Sequence, residues 1–320
     1  RGRRIPRVRL RWLKIALLLW LVFLVAVPFW AWTKVATVDA FPADDTRPDD
    51  QPGTTYLIVG SDKADDLTDE QREAIRPGER TANLTDTIML LHIGSGPNLL
   101  MSIPRDSIVD MPGHGSSKIN AAVGRGGPQL LVQTVESNTG IRIDNYIEMG
   151  FGGVINLVDA VGGIEICPKA RMQDKDARLD IKKGCQDVDG TTALAYARSR
   201  KTTGLGDIDR ARHQREVVSG VGKKALSPWS VINPVRWYRL NTAGARSVAV
   251  SKGTGPIDMG RFAWAITRVN GENGLTCGVP IRDLAVNWDP ERSQRMFQRI
   301  IEDNTKGIGK NLCTPTGMVP

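Results

Sequence analysis

Residues 87–103 read TIMLLHI-GSGPN-LLMSI, two apolar runs joined by a Gly/Pro/Asn turn. The pattern predicts a hairpin of buried strands over 87–93 and 98–103. Upstream, TTYLIVG (54–60) is a further β-rich run that stops at Gly60. Downstream, GGPQLLVQTVESNTG (126–140) predicts a helix with Leu130, Leu131 and Val135 on one face and Gly140 as its stop. IRIDNYIEM (141–149) alternates like a strand. FGGVINLVDAVGG predicts a helix closed by Gly162 and Gly163, and IEIC another strand. TTALAYA (191–197), a segment from Asp207 to about Ala225, and stretches around 261–270 and 290–303 predict further helices. Strands interleaved with helices imply a layered α/β domain. No repeat of 20–50 residues is visible.

Charge is unevenly placed outside this core. Of the formal +8, seven charges sit in residues 1–14, with no acid there, which leaves +1 for residues 15–320. The pI near 9.5 is therefore a tail property, and a generally basic nucleic-acid-binding domain is excluded. Ile15 to Trp32 (IALLLWLVFLVAVPFWAW) contains no charge. Eighteen helical residues cover about 27 Å, close to a bilayer core, and Trp12, Trp30 and Trp32 fall where headgroups would lie. The expected organisation is a basic cytoplasmic tail (1–14), an uncleaved transmembrane helix (15–33), an exposed acidic linker (34–53) and an extracytoplasmic domain (54–320). All four cysteines follow the apolar run, and none forms a C-x-x-C pair. An even count outside the cytosol implies two disulfides, of which Cys167–Cys185 with Cys277–Cys313 is the simplest of three connectivities.

The segment RSRKTTGLGDIDRARHQR (198–215) holds six basic residues and two acids. Such a concentration either points apart into water or surrounds an anion, and guanidinium forks suit phosphate oxygens. Arg210 and Gln214 share a helix face. Arg198 and Arg200 are two residues apart, so an extended backbone would point them the same way. Arg212 and Arg215 read as a solvated helix face, His213 as a surface or packing residue, and Asp207 as either a helix cap or a site residue. A second group lies at strand ends: Asp62, Asp86 and Arg105-Asp106. Two carboxylates beside phosphate-binding arginines would suit Mg²⁺ (or Mn²⁺), which prefers oxygen ligands. No P-loop, G-x-G-x-x-G, H-E-x-x-H or G-x-S-x-G occurs, and the three histidines are scattered.

In this order, LIVGSD, TDTIML, SIPRDS, KINAAV, VDAVGGIEI, GTTALAYARSRK and GDIDRARHQR resemble the LytR-CpsA-Psr family of cell-wall glycopolymer transferases. The resemblance covers residues 54–225, the motif core. It implies a three-layer α/β/α domain with a central mixed sheet and a lipid-accommodating pocket. It implies Asp62 and Asp86 as metal-managing carboxylates, and Arg105, Arg198, Arg200, Arg210 and Gln214 around a pyrophosphate. Arg105, Arg198, Arg200 and Asp207 are then the catalytic candidates. The implied reaction moves a glycan from a polyprenyl-pyrophosphate carrier onto a peptidoglycan hydroxyl. Two departures from the family pattern stand at Asn83-Leu84-Thr85 and at His213. The rival readings are a hydrolase of lipid pyrophosphates and a non-catalytic lipid-binding or wall-anchoring protein.

Overall fold

The structure is a computed structural model that describes residues 7–61, 67–75, 85–199, 207–225, 227–269 and 274–318, with backbone only at 7–10, 86, 207–209 and 211. A seven-stranded mixed sheet runs in the order Ala36–Val38, Val248–Ser251, Asn145–Met149, Thr54–Ser61, Thr85–Ile93, Asn98–Ile103, Gly274–Gly278. The expected hairpin is present, with Ile88 opposite Ile103 and His92 opposite Leu99. The Thr54–Ser61 strand lies at the centre, antiparallel to Thr85–Ile93 and parallel to Asn145–Met149.

Strand alternation divides the core into two layers. Leu57, Val59, Ile88, Leu90, Leu99 and Met101 face the helices Ala121–Thr139 and Pro290–Ile301. Tyr56, Ile58, Met89, Leu91, Leu100 and Ile147 face the other layer, where Ala265, Ile266 and Val218 close over them. Each such buried aliphatic contributes about 1.5–3 kcal/mol, so inward residues at every strand position explain why the sheet is covered on both sides. A third cluster joins the helices Phe151–Ala160, Gly190–Arg198 and Asp207–Ala225 through Val158, Ala193, Tyr196 and Val217.

Helix boundaries follow local chemistry. Asp189 caps Gly190–Arg198 by accepting from the Thr192 N–H at 2.8 Å. Gly140 ends Ala121–Thr139 in the left-handed region (φ 69°), its N–H donating to the Glu136 carbonyl at 2.8 Å. That helix begins five residues before the expected Gly126 and is broken where Gly127 (φ 69°) precedes Pro128.

The N-terminal helix spans Arg7–Trp32, and its Arg11–Trp32 portion is long and apolar enough to cross a membrane. The acidic segment 34–53, expected as an exposed linker, is instead built into the domain. Ala36–Val38 forms the edge strand, parallel to Val248–Ser251, and Ala40 is buried. Arg142 pairs with Asp44 at 2.8 Å and with Asp50 at 3.0 Å, and Arg47 reaches Glu136 at 2.8 Å. Asp44 and Asp50 thus stay exposed but share one distant partner, Arg142, while Arg47 of the same segment is buried against Glu136. Both disulfides pair sequentially, Cys167 with Cys185 and Cys277 with Cys313.

Candidate functional site

Strand register locates the site. One row of Cα partners crosses six strands: Ala36, Ala249, Glu148, Val59, Ile88 and Ile103. Ala36 follows the apolar helix by four residues and its strand runs away from that helix. The strands Thr54–Ser61, Asn145–Met149 and Asn98–Ile103 run the opposite way. Their C-terminal ends therefore lie on the side of the sheet where the apolar helix enters. Of the predicted strand-end residues, Asp86, Arg105 and Asp106 fall at this edge.

At this edge the pairing of Thr54–Ser61 with Thr85–Ile93 shifts. Gly60 opposes Thr87 while Ser61 opposes Thr85, so Asp86 is the extra residue of a β-bulge. Bulges of this kind re-aim a side chain and are frequent beside active sites. Asp62, the next residue after Ser61, and Arg200 lie outside the described residues, and of Asp86 and Asp207 only the backbone is described.

Arg105 lies two residues beyond Ile103, in a tight turn closed by the Ser107 N–H on the Pro104 carbonyl at 3.0 Å. Its own carbonyl accepts from the Asn120 N–H at 3.1 Å, which ties the turn to the start of the Ala121–Thr139 helix. The Arg105 side chain is 9% exposed, with Nε 3.7 Å from Asp106 Oδ2. Lys118 Nζ reaches Asp106 Oδ1 at 2.9 Å. Burial raises the Asp106 pKa, but the Lys118 hydrogen bond and the charges of Arg105, Lys118 and Arg210 outweigh it and hold the carboxyl below its ordinary value. That balance places Arg210 within electrostatic reach of the same carboxylate. Arg105 and Arg210, distant in sequence, are both buried, and both charges act on Asp106, Arg105 at 3.7 Å.

Arg210 stands one turn before Gln214 on the Asp207–Ala225 helix, and both are buried, as their shared face predicts. The same helix corrects the reading of Arg212 and Arg215 as a solvated face and makes His213 the packing residue of its two alternatives. Arg215 is not solvated. It is 3% exposed and donates to Ser102 Oγ and to the Pro315 carbonyl, and burial lowers its pKa to about 10. His213 is fully buried, its ring 4.3 Å from that of Tyr196, and its Nε2 lies 3.4 Å from Arg212 Nη2. Arg212 is half-buried rather than solvated.

Arg198 has other surroundings. It ends the Gly190–Arg198 helix, lies 5.0 Å over the Phe151 ring and donates to the Ile75 carbonyl at 3.0 Å. Phe151 begins the helix that follows the Asn145–Met149 strand, so this group also stands at the edge facing the apolar helix. Leu67, Ile75, Phe151, Ile155 and Leu194 form a separate apolar cluster here. Sequence reading missed Lys118 and Phe151; the KINAAV motif, which begins with Lys118, carried the signal for the first.

The donor set suits an anion. Two buried guanidiniums, an ammonium and one resident carboxylate leave positive charge where phosphate oxygens are recognised bidentately. Among the described residues, the only group of three metal-ligand types close together is Glu165, Cys167 and Cys185, and its sulfurs are spent in a disulfide.

The LytR_cpsA_psr family model matches residues 33–241. The chain is 44% identical over 287 residues to LcpB of Corynebacterium glutamicum, a probable cell wall biosynthesis protein, covering 87% of this chain and 67% of that one. It is 34% identical over 180 residues to TagU of Enterococcus faecalis, a polyisoprenyl-teichoic acid–peptidoglycan teichoic acid transferase, covering 56% of each. The chain thus spans two thirds of the first relative and little more than half of the second. Among solved structures, a LytR-Csp2A-Psr enzyme from Actinomyces oris shares the fold with a TM-score of 0.67 and 20% identity, over 83% of this chain and 96% of that one.

Proposed function

Because the chain belongs to the LytR-CpsA-Psr family, we propose that it transfers a glycopolymer from a polyprenyl-pyrophosphate carrier to a hydroxyl of peptidoglycan. The observation that carries the reading is buried Arg105 beside Asp106 at the sheet edge facing the apolar helix, with a second buried guanidinium, Arg210, acting electrostatically on the same carboxylate. A lipid-linked donor presents its diphosphate at a bilayer surface, and a cationic pocket beside a membrane span meets it there. The similarity to TagU, a transferase that moves teichoic acid from a polyisoprenyl carrier to peptidoglycan, supports the same donor and acceptor classes.

In this reading the acceptor oxygen attacks the glycan-side phosphorus. The bond from that phosphorus to the polyprenyl phosphate breaks, and polyprenyl phosphate leaves. The hydroxyl proton passes to a site carboxylate, Asp62, Asp86 or Asp207. Arg105 and Arg210 bind and orient the diphosphate; Arg198, Arg200 and Gln214 complete the phosphate contacts. Such transfer is mostly positioning and charge neutralisation. Carboxylate donors suit a divalent cation, Mg²⁺ or Mn²⁺, and the bulge that sets Asp86 apart beside Ser61 fits that use. Asp62 and Asp86 would hold the ion, which would add positive charge beside the phosphates. The Arg-rich tail before the span and the two disulfides support a cytoplasmic N-terminus and an extracytoplasmic domain.

The test is product identity. The full chain in lipid, given a lipid-linked glycan and a peptidoglycan fragment, yields a phosphodiester-linked conjugate. Arg105→Ala and Arg210→Ala each lower transfer by about 10²–10³-fold, the scale of losing one transition-state donor. Free sugar phosphate as the only product assigns a hydrolase instead. Unchanged transfer in both variants would refute the site.

A further inference from the structure

We propose that the helices Pro228–Ile232 and Pro234–Ser247 form a second membrane contact, an amphipathic platform seated on an anionic lipid surface beside the span. Four large side chains recur at every third residue and stand exposed: Trp229, Ile232, Val235 and Tyr238. Ile257 and Trp264, on the neighbouring Pro256–Ile266 helix, are exposed as well. Among the described residues outside the span, only Ile108 and Leu284 share this degree of exposure with those six. A concentration of this kind on one side of a domain marks a contact surface.

The span identifies what covers it. The Arg7–Trp32 helix packs against both Pro234–Ser247 and Pro256–Ile266. Trp30 stacks on Tyr238 with ring centroids 5.8 Å apart. Tyr238 also lines a crevice with Phe23, Ala26, Val27 and Trp30. Phe23 lies seven residues before Trp30, about 10 Å deeper along the helix at about 1.5 Å per residue. With Ile15–Trp32 across the bilayer, Tyr238 stands at the depth of the last turns of the span. The face it belongs to then meets headgroups and upper acyl chains, where Trp and Tyr are favoured and an interfacial helix sinks about 5–10 Å.

Charge selects the lipid. Residues 217–251 contain Lys223, Lys224, Arg236, Arg239 and Arg246 and no acid, with Lys224 paired to Asp187, in a chain whose residues 15–320 net only +1. Arg239 and Arg246 are exposed on the platform helix. Basic side chains beside buried aromatics are the composition that binds anionic headgroups.

The experiment uses the full chain in nanodiscs of phosphatidylcholine with or without phosphatidylglycerol. All four cysteines are in disulfides, so a nitroxide on an introduced thiol reports one position. Labels are placed through Phe23→Cys, Ile232→Cys and Leu284→Cys, and depth is read by power saturation with oxygen and a water-soluble nickel complex. The label at 23 reads the acyl core. The label at 232 reads about 5–10 Å below the phosphates, and the label at 284 reads water. Omitting phosphatidylglycerol lowers the oxygen-to-nickel ratio at 232 by about twofold. A label at 232 that reads like 284 while 23 stays in the core overturns the platform and leaves the span intact. A label at 23 in water overturns the span and the platform together. Spin–spin broadening at 232 that vanishes at one chain per disc assigns the face to a second copy instead. No response to lipid charge overturns the anionic preference.

Discussion

Arg47→Ala tests the docking of the segment that joins the span to the domain. Arg47 and Glu136 are 8% and 2% exposed, and Arg47 donates to both carboxylate oxygens, at 2.8 and 3.1 Å. The guanidinium also donates to the Ile143 carbonyl and sits 4.5 Å over the Phe41 ring. Glu136 accepts one further bond, from the Ile143 N–H at 2.9 Å. Truncating Arg47 leaves a buried carboxylate with that single donor. Removing one partner of a buried pair costs about 3–5 kcal/mol. At roughly 2–3 °C per kcal/mol for a domain of this size, Tm falls by about 6–15 °C. Calorimetry of the full chain in detergent measures the shift, with exposed Asp45→Ala as reference. The double variant Arg47→Met/Glu136→Leu recovers most of the loss, because an apolar pair carries no desolvation penalty. If Arg47→Ala melts with the reference, the segment is the free linker that its composition resembles and the docked arrangement is wrong.

Asp106→Asn removes a negative charge beside two buried guanidiniums. It lowers Tm in anion-free buffer but gives a larger Tm rise than wild type with added inorganic pyrophosphate; equal rises would place the anion elsewhere. His92 is buried between Thr55 Oγ1 (2.9 Å) and Asp303 Oδ1 (3.2 Å). Burial lowers its pKa, against the pull of Asp303, so the unfolded chain binds the extra proton first. Stability is therefore full above about pH 6.5 and declines as pH falls below that value; His92→Gln flattens urea midpoints over this window, and an unchanged slope would contradict the burial. Replacing Cys277 and Cys313 by Ala opens a loop of 36 residues and costs about 4 kcal/mol in the chain-entropy account, against about 3 for the 18-residue loop of Cys167–Cys185. Denaturant midpoints of the two double variants rank the loops, and the reverse order would show that packing of Cys277 in the core is a minor contribution.

The layered fold was legible because the strands at 54–60, 87–93 and 98–103 carry apolar residues continuously, and both sheet faces are covered. The helix at 207–225 and the cap at Gly140 followed from local signals. Segment 34–53 misled because its composition does not show that folding brings Arg142 to Asp44 and Asp50 and buries Arg47 of the segment against Glu136. The arginines of 198–215 were equally undecidable by spacing. Arg198 goes to Phe151, Arg210 to the surroundings of Asp106, and Arg215 to Ser102 and Pro315. Arg210 and Arg215 are five residues apart, nearly one and a half turns, so helical period alone separates their partners without saying which partner is a ligand.

The direction of the strands links anchor and chemistry. The edge strand that leaves the span runs opposite to the three strands whose ends carry Ser61, Met149 and Ile103. With that antiparallel relation, the turns after those strands return to the side the span enters from. Had Ala36–Val38 paired in the opposite sense, the same turns would face away from the span, and in the proposed transferase a lipid-bound diphosphate would need to leave its membrane to reach Arg105. The parallel pairing of Ala36–Val38 with Val248–Ser251 therefore matters for function as well as for closing the sheet edge. A substitution that unpairs it, Val38→Pro, removes a ladder donor from the edge strand, at the residue whose carbonyl accepts from the Lys252 N–H. It lowers transfer from a membrane-embedded donor more than transfer from a short-chain soluble analogue. Equal losses with the two donors would show that the domain finds its substrate without being held in this orientation.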